Sequence, residues 1–174
     1  MGPGQLSSNN SSSKRFANQN KFGYMTEIRN DLELDIYGFS GTALNRDYAG
    51  KAFQLMDKMW KLVKGNKLEN KGKNIWIYES GEKVFAGVEL MEAGHSDNGL
   101  ERKQIRLPHY GYFKHVGPYH LIKQAGEKMK SELKIQGFET VLPYIEIYGH
   151  WDSDEKRLET ELLVSIVQGK GLSS

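Results

Sequence analysis

One order of elements occurs twice along this chain: strand, helix, strand, strand. Apolar residues recur with period 2 in the predicted strands and at helical spacing in the predicted helices. The predicted strands are 34–41, 74–79, 83–91, 104–116, 143–149 and 160–167, and the predicted helices are 47–64 and 118–137. This order predicts an α+β fold, in which two pseudo-symmetric β-α-β-β repeats, about 34–91 and 104–168, form an antiparallel sheet with both helices on one face.

Length and composition indicate one domain without disulfides. The chain has 174 residues, which is enough for a sizeable core. Its net charge of +2 is too small an excess to predict direct nucleic-acid binding or attachment to a charged membrane surface. There is no cysteine, and no apolar run approaches the length of a membrane span. We therefore expect a cytoplasmic protein.

The first 23 residues differ in composition from the rest of the chain. Ser, Asn, Gln and Gly dominate them, and such a segment cannot bury enough apolar surface to fold. Residues 1–23 are predicted to be a disordered tail or an appended linker, and residues 24–174 to form a single domain.

The predicted strand at 143–149 has two unlike faces. Because strand side chains alternate, Ile145 and Ile147 point one way, whereas Glu146 points the other way between Tyr144 and Tyr148. A carboxylate buried among rings is costly unless its charge is paired. A cationic ligand would supply that charge and would also bind the rings through cation–π contacts. The alternative is a solvated strand face on which Glu146 only interrupts an apolar surface.

The two repeats align in residues as well as in order. Residues 75–78 (Ile-Trp-Ile-Tyr) align with 145–148 (Ile-Glu-Ile-Tyr). The isoleucine faces are expected to meet the helices. The opposite face would then form a ligand groove at the repeat junction, because an apolar patch with a polar rim is typical of a binding surface. The residues expected in this groove are Trp76, Tyr78, Tyr144, Glu146 and Tyr148.

Signatures of metal, phosphate and acyl-transfer chemistry are missing from the sequence. The five histidines do not have the spacing of metal ligands. Gly38 and Gly41 do not form a phosphate-binding loop, and no nucleophile elbow is present. No metal, no cofactor and no catalytic residue is assigned.

Three stretches of the second repeat carry a likeness to a known family. They are 110–118 (Tyr-Gly-Tyr-Phe-Lys-His-Val-Gly-Pro), 143–149 (Pro-Tyr-Ile-Glu-Ile-Tyr-Gly) and 159–161 (Glu-Thr-Glu), and the first repeat agrees at 59–60 and 84–89. Together they resemble the GyrI-like small-molecule-binding domain over about residues 32–168. This family includes the gyrase inhibitor and the effector-binding domains of multidrug-responsive transcription activators.

The resemblance implies a ligand groove with one acidic determinant and aromatic walls. Glu146 matches the glutamate that pairs with lipophilic cations in this family. The candidates for the walls are Trp76, Tyr78, Tyr112, Tyr144 and Tyr148. Glu161 could also face the groove, although a solvated strand position would explain it equally well. Regulators of this family carry a helical DNA-binding region before the domain, which residues 1–23 cannot hold, and this favours a stand-alone binding protein.

Three functions are compatible with these features. The first is a protein that binds lipophilic, cationic aromatic small molecules. The second is a hydrolase of strained electrophilic natural products, which the resemblance permits, with Glu146 and Glu161 acting on a water. The third is a protein-interaction module that acts as the gyrase inhibitor does. A homodimer formed by pairing of an exposed edge strand is also possible from the pattern alone.

Overall fold

The computed structural model describes residues 25–92 and 98–171. The predicted tail at 1–23 therefore lies outside the described residues. The strands are β1 (Glu27–Thr42), β2 (Asn74–Glu79), β3 (Lys83–Val88), β4 (Glu101–Val116), β5 (Phe138–Tyr148) and β6 (Glu159–Gln168), and the helices are α1 (Tyr48–Gly65) and α2 (Ile122–Ile135). Short 3₁₀ turns at Leu44–Arg46, Tyr119–Leu121 and Glu155–Arg157 connect them. The α+β class and the predicted order of elements are confirmed, while internal two-fold symmetry stays a prediction.

The antiparallel sheet is closed into a barrel with the strand order β1-β3-β2-β5-β6-β4. The long strands β1 and β4 close it by pairing from Glu27↔Tyr112 to Gly38↔Glu101. Each of these six strands has a hydrogen-bonded neighbour on both sides. Closure covers only part of the two longest strands, because residues 27–36 of β1 pair only with β4 and residues 101–109 of β4 pair only with β1. A homodimer through an exposed edge strand therefore stays a prediction.

The isoleucine faces point into the barrel, which corrects the prediction that they meet the helices. Ile75, Ile77 and Ile145 are each at most 2% exposed and lie in one core cluster with Leu34, Ile36, Phe85, Leu107 and Leu163. Closure explains the difference, because a closed sheet provides its own apolar interior. The predicted helix contact was only one of the ways in which an apolar strand face can be buried.

Both helices lie on the outer face of the barrel. Helix α1 is capped at its N-terminus by Asp47, whose carboxylate accepts a hydrogen bond from the Gly50 N–H. It buries Ala52, Leu55, Met59 and Val63, mainly against β1 and β3. Helix α2 buries Ile122, Met129 and Leu133 against β4 and β5. The outer faces of β2 and β5 therefore lie between the two helices.

None of the helices within residues 25–92 and 98–171 is long and apolar enough to cross a membrane.

Candidate ligand-binding site

A cavity of about 1000 Å³ lies between the two helices, and we call it the interhelical groove. Its floor is formed by β2 and β5, which pair in antiparallel register with Trp76 opposite Glu146 and Tyr78 opposite Tyr144. One wall comes from the first half of α1, and the other comes from α2. The groove is at the large end of the range found for small-molecule sites.

Glu146 is the central polar group of the floor. It is only 9% exposed, and its carboxylate accepts a hydrogen bond from the hydroxyl of Tyr148. The hydroxyls of Tyr78 and Tyr144 also donate to it. No lysine, arginine or histidine among the described residues forms an ion pair with this carboxylate. The site therefore holds a buried acid with hydrogen-bond donors but without a neutralising charge.

Burial raises the pKa of Glu146 above its ordinary value, and the three tyrosine hydrogen bonds offset part of this increase. The same environment raises the pKa of Tyr78, Tyr144 and Tyr148, first through burial and then through the negative charge of Glu146. These hydroxyls therefore stay protonated and keep their role as donors. A cation placed in the groove would favour the ionised carboxylate and would lower the pKa of Glu146 again.

Aromatic rings surround the carboxylate on both floor strands. The rings of Trp76 and Tyr148 have centroids 4.7 Å apart, and Tyr78 stacks on Tyr144 at 5.7 Å. Phe53 from α1 contacts Trp76 edge-on at 5.0 Å. Ring faces carry negative electrostatic potential, so this arrangement suits a ligand that is both aromatic and positively charged.

Five of the seven residues predicted for the site line the interhelical groove: Trp76, Tyr78, Tyr144, Glu146 and Tyr148. The structure thus brings together the floor expected from the alternation of the two strands. The structure places these five residues on the same face of the sheet as the helices, whereas the prediction put them on the face away from the helices. The correction follows from barrel closure, which leaves only the outer face for both helices and groove.

Tyr112 and Glu161 do not line the groove. Glu161 pairs in register with Ile147 and therefore lies on the inward side of the barrel wall. The Tyr112 hydroxyl donates to Glu161 at 2.8 Å, and burial is the first cause that raises the pKa of Tyr112 to about 12. The prediction that these two side chains face the groove is wrong, because the strand register places both of them on the opposite face of the sheet from Glu146.

Four further aromatic residues line the groove without having been predicted for it: Tyr48, Phe53, Tyr119 and Trp151. Phe53 and Tyr119 occupy apolar positions at the helical spacing of the two predicted helices, yet they are 57% and 42% exposed and line the cavity. Trp151, in the loop after β5, is 77% exposed and also lines it. Helical spacing alone does not separate a residue at the rim of a groove from one in the core.

The described residues contain no group of three or more His, Cys, Asp or Glu side chains that could hold a metal ion. The chemistry that the groove itself offers is charge pairing at Glu146, donation from three tyrosine hydroxyls and stacking on aromatic rings.

The raised pKa of Glu146 predicts how Glu146→Gln changes stability with pH. A raised acid pKa means that the folded state holds the proton more tightly, so the contribution of Glu146 to stability is complete below its unfolded pKa of about 4.3 and is lost as the pH rises through its folded pKa. The melting temperature of Glu146→Gln should therefore match the parent near pH 4 and exceed it at pH 8. Thermal unfolding followed by circular dichroism at both pH values measures this difference.

The matched control is Trp76→Phe, which changes the same floor without removing a titrating group. Its offset in melting temperature should be the same at both pH values. An equal offset at both pH values for Glu146→Gln would contradict the assignment of a raised pKa to this carboxyl group.

Comparison with known proteins finds similarity in structure. No family model matches the chain, and no curated protein matches its sequence. The C-terminal domain of EcmrR superposes with a TM-score of 0.68 at 14% identity, over 83% of this chain and 98% of that domain. A structure of SAV2435 bound to tetraphenylphosphonium superposes with a TM-score of 0.56 at 19% identity, over 87% of this chain and 96% of SAV2435.

A hydrolase from Listeria innocua is also similar, with a TM-score of 0.50 at 10% identity, over 82% of this chain and 92% of the hydrolase. At these identities the comparisons establish a shared fold. The resemblance to GyrI-like domains that the sequence predicts is therefore confirmed at the level of the fold.

Proposed function

We propose that this protein binds lipophilic, cationic aromatic small molecules in the interhelical groove, with Glu146 pairing the positive charge. The observation that carries the proposal is a carboxylate that is 9% exposed, surrounded by aromatic rings and supplied with hydroxyl donors but with no cation. Burying such a charge without a partner is unfavourable. A ligand cation relieves this cost and gains cation–π contacts with the same rings.

Two further facts support the proposal. The cavity is large enough for an aromatic ligand. A protein of the same fold, SAV2435, has been observed bound to tetraphenylphosphonium, which is a lipophilic aromatic cation. The five floor residues, Glu146, Trp76, Tyr78, Tyr144 and Tyr148, are the proposed contacts of the ligand.

Tetraphenylphosphonium and tetraphenylborate provide the test, because the two ions have the same shape and opposite charges. We expect the phosphonium ion to bind at least about tenfold more tightly, since two opposite charges about 6 Å apart at an effective dielectric constant of about 20 attract each other by roughly 3 kcal/mol. Trp76 and Trp151 line the groove, so quenching of tryptophan fluorescence should report binding. Isothermal titration calorimetry provides an independent dissociation constant.

Equal affinity for the two ions would contradict the proposal, because a groove that recognises only shape and apolar surface does not distinguish them. Tighter binding of the borate would contradict it directly. A Trp151→Phe variant removes one of the two groove tryptophans, so that the quenching that remains reports on Trp76. This variant should retain the preference for the phosphonium ion.

The hydrolase alternative loses one of its two proposed groups. Glu161 was expected to act with Glu146 on a water, but it does not line the groove and instead accepts a hydrogen bond from Tyr112 on the inward side of the sheet.

Three other carboxylates line the groove, but Asp47 caps α1, Glu79 pairs with Lys103, and Glu127 is exposed on α2. A catalytic function would therefore rest on Glu146 and the tyrosine hydroxyls. Sharing a fold with a hydrolase from Listeria innocua does not by itself indicate a second catalytic acid in this groove. Binding is therefore the function that the groove supports best.

A further inference from the structure

The two walls of the interhelical groove differ in chemistry. The α1 wall presents Tyr48, Ala49, Phe53 and Met56, which are aromatic or apolar. The α2 wall presents Lys123, Gly126, Glu127 and Lys130. These α2 positions are three or four residues apart and therefore share one face of the helix. A ligand in the groove thus meets apolar surface on one side and charges on the other.

The α2 wall has a net positive charge that is not neutralised by neighbouring side chains. Lys123 and Lys130 outnumber Glu127, and no ion pair within 4.0 Å joins either lysine to a carboxylate in the described part of the chain. The first turn of α2 has no acidic residue. The ammonium group of Lys130 lies 5.3 Å from the centroid of the Tyr144 ring, on the floor of the groove. A cation of the protein therefore contacts the same aromatic floor that surrounds Glu146.

The other charged side chains that line the groove are engaged elsewhere. The Asp47 carboxylate caps α1, and Glu79 forms an ion pair with Lys103. Arg46 is 4.0 Å from the carboxylate of Glu82. The charges left for a ligand are the negative charge of Glu146 on the floor and the excess positive charge of the α2 wall.

We infer that the preferred ligands are zwitterionic aromatic amphiphiles, whose cationic end pairs with Glu146 and whose anionic group pairs with Lys123 and Lys130. This inference rests on the proposed function and adds a charge rule to it. A ligand with a cation alone pairs with Glu146 but leaves Lys123 and Lys130 without a counter-charge. A ligand that also carries a carboxylate satisfies both ends of the groove, and Lys130 and Lys123 become its specificity-determining residues.

A matched pair of dyes tests this rule. Tetramethylrhodamine is a zwitterion with a free carboxylate, and its methyl ester has the same aromatic cation without the negative charge. The readout is the ratio of the two dissociation constants within each protein, measured by fluorescence anisotropy, because the different hydrophobicity of the dyes cancels when variants are compared. We expect the double variant Lys123→Gln/Lys130→Gln to shift this ratio toward the ester by about tenfold, which is about threefold for each exposed charge pair.

Two variants on the same helix serve as controls. Lys128→Gln removes one positive charge outside the groove, where Lys128 is 3.9 Å from Glu132, and should leave the ratio unchanged. Glu127→Gln removes the negative charge of the α2 wall and should shift the ratio the other way, toward the zwitterion. Raising the salt concentration should reduce all of these shifts.

The outcomes separate this inference from the function on which it rests. If both dyes bind through Glu146 but the lysine variants leave the ratio unchanged, the zwitterion rule is wrong and the proposed cation site stands. If neither dye shows a loss of affinity with Glu146→Gln, both the proposed function and the inference fail. A shift of the ratio in Lys128→Gln as large as in the double variant would also overturn the rule, since it would reflect only overall charge.

Discussion

Replacing Glu146 with glutamine is expected to weaken binding of tetraphenylphosphonium by about 10- to 100-fold, since the attraction between the two opposite charges, roughly 1.5–3 kcal/mol at an effective dielectric constant of about 20, is lost. Glutamine has nearly the same shape, and its amide oxygen still accepts hydrogen bonds from two of the three tyrosine hydroxyls that now contact Glu146. The variant therefore changes charge with little change in packing. Its affinity for tetraphenylborate should stay the same or increase, which shows that the groove is intact.

Glu127→Gln is the matched control for this loss. Glu127 also lines the groove but is exposed on α2, so its removal should weaken phosphonium binding by no more than about threefold. Titration of the parent and both variants under identical salt conditions gives the comparison. A Glu146→Gln protein that binds the phosphonium ion as tightly as the parent would show that the cation is held by the rings alone.

Replacing Gly38 with alanine is expected to destabilise the barrel by about 3 kcal/mol or more, which is at the upper end of the cost of overpacking. Gly38 of β1 is opposite Gly87 of β3. A Cβ atom on Gly38 would be 1.9 Å from the Ala86 carbonyl oxygen and 2.6 Å from the Gly87 Cα. Both atoms belong to the backbone, so relief requires the two strands to separate. Urea denaturation of the parent and the variant measures the difference in unfolding free energy.

Gly65→Ala is the control for the change of glycine to alanine. Gly65 ends α1 and has no atom within 4 Å of an added Cβ. Alanine there should leave stability unchanged or raise it by up to about 1 kcal/mol, because it reduces the freedom of the unfolded chain. A loss for Gly38→Ala no larger than about 0.5 kcal/mol, the usual range for surface substitutions, would contradict a close β1–β3 contact at this position.

Local patterns were sufficient for the elements and for part of the site. Strand alternation correctly placed Glu146 with Tyr144 and Tyr148 on one face and Ile145 on the other. The alignment of Trp76 with Glu146 is matched by their direct pairing across β2 and β5. These predictions succeeded because the two-residue period of a strand is a local property of the backbone.

Other parts of the site depended on contacts between distant segments. Glu161 and Tyr112 were assigned to the groove, but the register of β4, β5 and β6 directs them to the inward side of the sheet. Phe53 and Trp151 reach the groove only because α1 and the loop after β5 flank the same floor. Sequence spacing within one element does not contain this information.

By itself, the sequence determined the order of strands and helices, the two faces of each floor strand and the presence of an acid among aromatic residues. The tertiary structure decided what each face meets. Pairing of β1 with β4 closes the sheet, so Ile75, Ile77 and Ile145 fill the barrel interior, and the face that carries Glu146 is left between the helices. The physical reason is that an apolar face requires burial but does not specify its partner. Long-range strand pairing makes that choice, and it thereby sets the burial and the pKa of Glu146.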